Sequence, residues 1–179
     1  MATVSLYDAS IGVATNSLLT LLDLVKAAQA HEDASSIAAL RLAPDMLPFS
    51  FQIQTVSNTS KKMVERLTGK ELDVWPDDET TLEQLVARLE KTIDLLKTVK
   101  KEELDAQWDA VKTVSLKIGP FDPVPATASQ YVLGFALPNI MFHVSTAYAI
   151  LRVKGLPLGK AVYLKNYVGD FFKPPAPAQ

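Results

Sequence analysis

TTLEQLVARLEKTIDLLKTV, residues 80–99, decides how the chain folds. Its Leu82, Leu85, Val86, Leu89, Ile93 and Leu96 recur at three- and four-residue steps, which puts them on one stripe of an α-helix. The stripe is narrow and polar residues fill the rest of the surface. Such a seam belongs to a helix that packs against others in a bundle. The start is signalled upstream, where VWPDD places a proline and two aspartates ahead of Thr80. Thr80 with Glu83 then has the spacing of a capping box.

Three more helical segments lie around it. The first spans about Leu6 to Ala30, with Leu18, Leu21, Leu22 and Val25 on one apolar stripe. The polar connection AHEDASS and the short segment IAALRLAPDM follow it. Pro44 disfavours helix at Ala43, which places the next start near Asp45. The second helix covers Met46 to Leu67, turns Phe49, Ile53, Val56, Met63 and Val64 inward, and closes at Gly69. Beyond the third helix, VKTVSLKI at 111–118 alternates apolar and polar residues and predicts a short strand. GPFDPVPATA carries three prolines and cannot be regular helix. Thr127 with Gln130 offers a second capping box, and the last helix runs to about Val153 before Gly155. The expectation is an all-α four-helix bundle, with helices near 6–30, 46–68, 80–99 and 128–153 and one long crossover. Residues 1–170 make one domain, and the proline-rich tail 171–179 is expected to be disordered.

Composition removes several classes of function. The 18 basic and 20 acidic residues give a net charge of −2, so no global field recruits nucleic acid. Lys61-Lys62 and Lys100-Lys101 read as solvated surface. No cysteine is present, so thiolate zinc sites, iron–sulfur clusters and cysteine nucleophiles are excluded. GxGxxG, GxxxxGK[ST] and GxSxG are absent, and GLPLGK at 155–160 reads as a turn. The N-terminus has no basic region and carries Asp8, and no apolar run looks long enough to span a bilayer. A cytoplasmic protein is the expectation.

The blocks RLAPDMLPFSFQIQTVSNTSKKMVERLTG, WPDDETTLEQL and LPNIMFHVSTAYAILRVKGLPLGK resemble the family catalogued as domain of unknown function 1993. They stand in that family's order and span most of the chain. The family is similar to the DinB/YfiT-like superfamily, which implies an up-down-down-up four-helix bundle. The resemblance further implies three histidines around a divalent metal in many members, and thiol-dependent transfer or isomerisation in some. This chain departs from that pattern. Metal-binding relatives offer two histidines four residues apart on the last helix, whereas the positions four residues either side of His143 are Asn139 and Ala147. The early second helix offers Asp45, Gln52 and Gln54 but no histidine, and His31 lies at the end of the first helix. One imidazole with amide or single-carboxylate support is a poor site for zinc, which takes three protein ligands even when catalytic. No metal or other cofactor is therefore expected.

His143 shares a helical face with Phe135, Asn139, Thr146 and Ile150. Its bland reading is a buried histidine satisfied by a facing group. Its functional reading is a pocket residue that titrates near neutral pH. Asp45 either caps the second helix or charge-pairs His143 as a second catalytic group. Gln52 can line the pocket from the same side. Tyr148 and Arg152, four residues apart, read as an aromatic–arginine packing pair, with Tyr148 also a candidate substrate contact. The expected pocket lies between the second and fourth helices, lined by Asp45, Phe49, Gln52, Asn139, His143 and Thr146.

The function expected on these grounds is metal-independent acid–base chemistry, an isomerisation, cyclisation or elimination, on a largely apolar small molecule. A non-catalytic ligand binder or a homodimeric interaction module is the alternative, and a divalent-metal enzyme of the DinB-like type is the second. Neither nucleic acid nor membrane is an expected partner.

Overall fold

The structure, a computed structural model, describes residues 5–106, 114–116 and 124–169. The first long helix opens with a π-helical turn, Asp8–Gly12, and continues as α1, Val13–Gln29. A single turn, α2 (Ala34–Ile37), follows, and then α3, Phe49–Thr68. The next elements are α4 (Leu82–Lys97) and the short α5 (Lys101–Asp105). Two three-residue strands, β1 (Val114–Leu116) and β2 (Val124–Ala126), pair antiparallel, with Val114 opposite Ala126. The last long helix is assembled from α6 (Ala128–Tyr131), a π-helical turn Val132–Ala136, and α7 (Leu137–Val153). A final helix, α8, covers Lys160–Val168.

The four expected helices are present and pack as a ring: α1 against α4 and α7, and α3 against the same two. Side-chain pairs give the directions. Gln29 meets Glu83 while Ser5 meets Asp105, so α1 and α4 run antiparallel. Gln52 meets His143 and Thr59 meets Asn139, so α3 and α7 are antiparallel too. Lys154, just past α7, pairs with Asp33, just past α1, at 2.6 Å, so these two are parallel. The order is up-down-down-up. The core is a continuous apolar cluster drawn from all four helices, including Leu18, Leu21, Phe49, Ile53, Leu85, Leu89, Ile140 and Val144.

The parallel pair α3–α4 requires a connection that returns the chain along the bundle, and residues 70–81 make it. The backbone N–H of Leu72 donates to Glu65, Asn58 donates to Asp77, and Gln54 donates to Glu79. Loop numbers rise as α3 numbers fall, so the loop climbs back beside the helix it has just left. Trp75 lies between two ammonium groups, Lys91 at 4.1 Å and Lys61 at 5.6 Å from its ring centre. Lys61 is therefore not the solvated surface residue its sequence context suggests. It is buried and paired with Glu65.

Arg88 anchors the loop from α4. Only 4% exposed, it donates to Ser57 (3.0 Å), Asn58 (2.8 Å), the Pro76 carbonyl (2.8 Å) and Glu79 (2.7 Å), and it pairs with Asp77. A guanidinium has five N–H donors, and this site uses them from all its sides.

Local chemistry sets the boundaries. The cap of α4 is Thr81 with Gln84, one residue later than the Thr80–Glu83 box expected from the sequence, because Gln84 reaches back to the Thr81 backbone N–H. The Thr127–Gln130 box forms as expected. Gly69 ends α3 at a left-handed φ of 74°. The helix α3 starts at Phe49 rather than near Met46, since residues 43–46 form a turn and Pro48 sits at the N-cap. Its first free amides are satisfied by backbone: Phe49 N–H donates to Leu40 and Ser50 N–H to Ala38. The π turn before α7 has a covalent cause. Pro138 cannot donate to the Gly134 carbonyl and its ring would press on it, so the turn widens, with Leu137 N–H reaching Val132 five residues back.

The helix α8 lies antiparallel on α1, with Tyr167 bonded to Ser17 and Lys165 paired with Asp23. Two stretches, Asp8–Gln29 and Ala128–Val153, are long and apolar enough to cross a bilayer by length and composition, contrary to the sequence reading. Half of the first window is buried inside the fold, as the core helix of a bundle is. Of the strand expected at 111–118, residues 114–116 are extended and the rest lie outside the described residues, as does the tail expected at 171–179.

Candidate functional site

Gln52 occupies the first turn of α3, close to the Leu47 carbonyl just outside the helix and to the Pro48 N-cap carbonyl, which also accepts the Gln52 backbone N–H at 3.3 Å. Its side-chain Nε2 donates to Leu47 O at 2.9 Å and Pro48 O at 3.2 Å. Both bonds require a donor, so they fix which end of the amide is nitrogen. Oε1 is thereby turned toward α7 and stands 2.7 Å from His143 Nδ1. An amide oxygen only accepts, so Nδ1 carries the proton and Nε2 keeps its lone pair. The tautomer of His143 is set by a residue that is itself 2% exposed.

The imidazole lies half-buried at the rim of the α3–α7 seam. The edges of two phenylalanines bound it: Phe142 at 5.2 Å and Phe51 at 5.9 Å between ring centres, both near perpendicular. Burial holds its pKa below the ordinary histidine value of about 6.5. A neutral imidazole with a fixed tautomer, whose Nε2 meets no partner among the described residues, can take a proton from a bound molecule or accept a hydrogen bond from it.

The other expected site residues are placed differently. Asp45 is exposed in the 43–46 turn, caps nothing, and makes no bond to His143; the position beside Nδ1 belongs to Gln52. Phe49 is fully buried core. Asn139 lies on the same face as His143 but donates to Thr59 Oγ1 at 2.9 Å. Thr146 is 6% exposed and its hydroxyl returns to the Phe142 carbonyl of its own helix. Tyr148 donates to the Leu158 carbonyl and its ring meets Tyr163 edge-on, while Arg152 donates to the Leu156 carbonyl. These two brace the turn after α7 rather than pack on one another. The structure thus joins Gln52 with His143 and leaves Asp45 and Tyr148 apart from them. The two phenylalanines flanking the ring went unnamed in the sequence reading, although Phe142 adjoins His143 in the chain.

The family model for a domain of unknown function (DUF1993) matches residues 6–164. The chain belongs to this family. A comparison with curated proteins returns no match. Among solved structures the chain is similar to the crystal structure of a DinB family member protein from Shewanella denitrificans, with a TM-score of 0.79 and 27% identity. The likeness covers 97% of this chain and 96% of that one. The DinB-like architecture expected from the sequence is thus the architecture observed.

The divalent metal common among DinB-like proteins does not fit the donors present here. Among the described residues no three His, Asp or Glu side chains gather as a ligand set. At the seam itself, His143 Nδ1 is engaged by Gln52, and the Asn139 amide is engaged by Thr59. One imidazole nitrogen remains, which is too few for zinc.

Proposed function

We propose that the DUF1993 chain acts on a largely apolar small molecule at the rim of the α3–α7 seam, with His143 as its acid–base group and no metal involved. The observation that carries this reading is the Gln52–His143 contact. Two carbonyls fix the amide, the amide fixes the imidazole tautomer, and Nε2 is left as a base in an aromatic surround. Gln52 acts through His143 and is a positioning residue. The chemistry that suits such a site is removal and return of one proton beside a carbonyl or hydroxyl, as in an isomerisation, cyclisation or elimination. A single neutral imidazole flanked by Phe51 and Phe142 matches an uncharged ligand body better than a multiply charged one.

The test is isotope wash-out. A set of α-deuterated ketone and ester fragments is incubated with wild type and with His143→Gln, and loss of deuterium is followed by proton NMR. Wash-out by wild type alone supports the reading. Equal behaviour of the two proteins across fragments that bind overturns it.

The non-catalytic alternative has an observation of its own. Leu133, Met141 and Phe142 are exposed on the last long helix, Phe142 by 59%, and a stripe of this kind suits a docking face. Sedimentation showing a dimer that Phe142→Ser dissociates, together with no wash-out, would favour the interaction module.

A further inference from the structure

Further along α3 from the Gln52–His143 contact lies a cleft of about 200 Å³, lined by Asn58, Thr59, Lys62, Arg66, Tyr131 and Phe135. Its near wall, Thr59, accepts from Asn139 one turn from His143, whereas Arg66 at the far end is fourteen residues from Gln52, ~21 Å at 1.5 Å each, so the guanidinium stands apart from the imidazole. The cleft lining holds two cations and no acid. Lys62 is paired with Glu65 at 2.7 Å. Arg66 has no carboxylate partner among the described residues; its guanidinium lies over the Tyr131 ring, 4.8 Å from the centre. Tyr131 and Phe135 are stacked at 6.3 Å with 27° between their planes; Tyr131 precedes the π turn that Pro138 imposes and Phe135 lies within it. Tyr131 is fully buried, and its hydroxyl makes no hydrogen bond of good geometry among the described residues, with Arg66 as its charged neighbour. A buried hydroxyl without a partner loses its water and receives nothing in exchange.

We propose that this cleft binds a small organic monocarboxylate, gripped by the Arg66 guanidinium with its apolar body against Phe135, Tyr131 backing both from beneath. Charge calls for an anion. Glu65 is shared between Lys61 and Lys62, and Arg66 adds a further cation, so the lining is net positive. The guanidinium fork matches the paired oxygens of a carboxylate or a phosphate, and the Phe135 wall favours an anion that carries an apolar body, an organic carboxylate over inorganic phosphate. Volume decides the size, because the cleft is smaller than the ~300–1,000 Å³ of sites for drug-sized molecules. The π turn beside the cleft, a feature frequent at functional sites, is a further mark of a ligand position. The proposal stands independently of the chemistry at His143.

The experiment is a titration of the ¹⁵N-labelled full chain with benzoate, benzamide and inorganic phosphate. Benzoate is expected to move, saturably, the amides of residues 58–66 and 131–136 while leaving 141–146 in place. Benzamide, which has the same shape without the charge, is expected to bind about tenfold more weakly or worse. Phosphate is expected to give no saturable shift. Arg66→Gln should abolish the benzoate response, and Arg66→Lys, which keeps the charge but not the fork, should not restore it. Tyr131→Phe should melt no lower than wild type, since it removes an unsatisfied group. Absence of a saturable benzoate shift, equal binding of benzamide, or phosphate matching benzoate overturns the proposal. Should Arg66→Gln fail to fold, the comparison of benzoate with benzamide on wild type decides alone.

Discussion

Gln52 Oε1 faces His143 Nδ1 at 2.7 Å, and that amide is itself pinned by the Leu47 and Pro48 carbonyls. The imidazole in wild type should therefore be a single tautomer, with Nδ1 protonated. Long-range ¹H–¹⁵N NMR at pH above 7 should show a protonated-type Nδ1 and an unprotonated-type Nε2. Gln52→Leu should leave a mixture of tautomers. A wild-type spectrum with the proton on Nε2 would contradict the amide assignment.

His143 also gives stability a pH dependence. Its folded pKa lies below the unfolded value of about 6.5 through burial, so the unfolded chain binds the proton more readily. As pH falls through 6.5 toward the folded value, the native state loses ground, and at pH 7 and above this penalty is absent. Thermal melts from pH 8 to pH 5 should drop more steeply for wild type than for His143→Gln. Identical slopes would show that the ring is not desolvated.

Removing Arg88 should be among the most damaging single changes. Arg88→Met leaves the Glu79 carboxylate, 13% exposed, without its cation and with only the Gln54 amide as donor, and losing one partner of a buried pair costs about 3–5 kcal/mol. Arg88→Lys should recover little, because a point charge cannot serve four separated acceptors. Urea unfolding monitored by fluorescence reads this directly, as Trp75 lies on the loop that Arg88 anchors.

The capping register separates two neighbouring threonines. Thr81→Ala should destabilise by about 1 kcal/mol, the usual loss at an N-cap, and Thr80→Ala by a few tenths. Equal losses would place the start of α4 elsewhere.

Zinc gives a test of the donor count. Calorimetry on wild type should show no stoichiometric site, whereas Gln52→His combined with Asn139→His adds two imidazoles beside His143 and should create one. Tight one-to-one binding by wild type would show that the seam recruits ligands beyond those counted.

The four long helices were legible because each carries a strong apolar period over four turns or more, the signal that survives without tertiary information. Gly69 and the Thr127–Gln130 box were legible because helix ends have local chemistry. The start of α3 was misplaced by three residues. The backbone carbonyls that cap it, Leu40 and Ala38, belong to a segment whose return to the helix start leaves no pattern in composition. The same displacement put Asp45 into the expected site, when the turn at 43–46 leaves it in solvent. Short helices such as α8 escaped because their docking depends on a groove that exists only once α1 and α7 are side by side. Arg88 and Lys61 were hidden in plain charge patterns, since burial of a cation is decided by partners distant in the chain. Gln52 and His143 were both named, but sequence spacing could not rank Gln52 above Asp45; the amide geometry does.

The returning loop 70–81 has a consequence for how the molecule assembles. It folds the chain from Phe49 to Lys97 back on itself, so the Ser57–Thr92, Asn58–Asp77 and Gln54–Glu79 contacts all close over short stretches. The contacts that bring in the outer helices are remote by comparison: Gln29 reaches Glu83 across 54 positions, Gln52 reaches His143 across 91 and Ser17 reaches Tyr167 across 150. Closing a longer loop costs more chain entropy before any contact rewards it. The middle of the chain is thus the natural nucleus, onto which α1, α7 and α8 close over longer stretches.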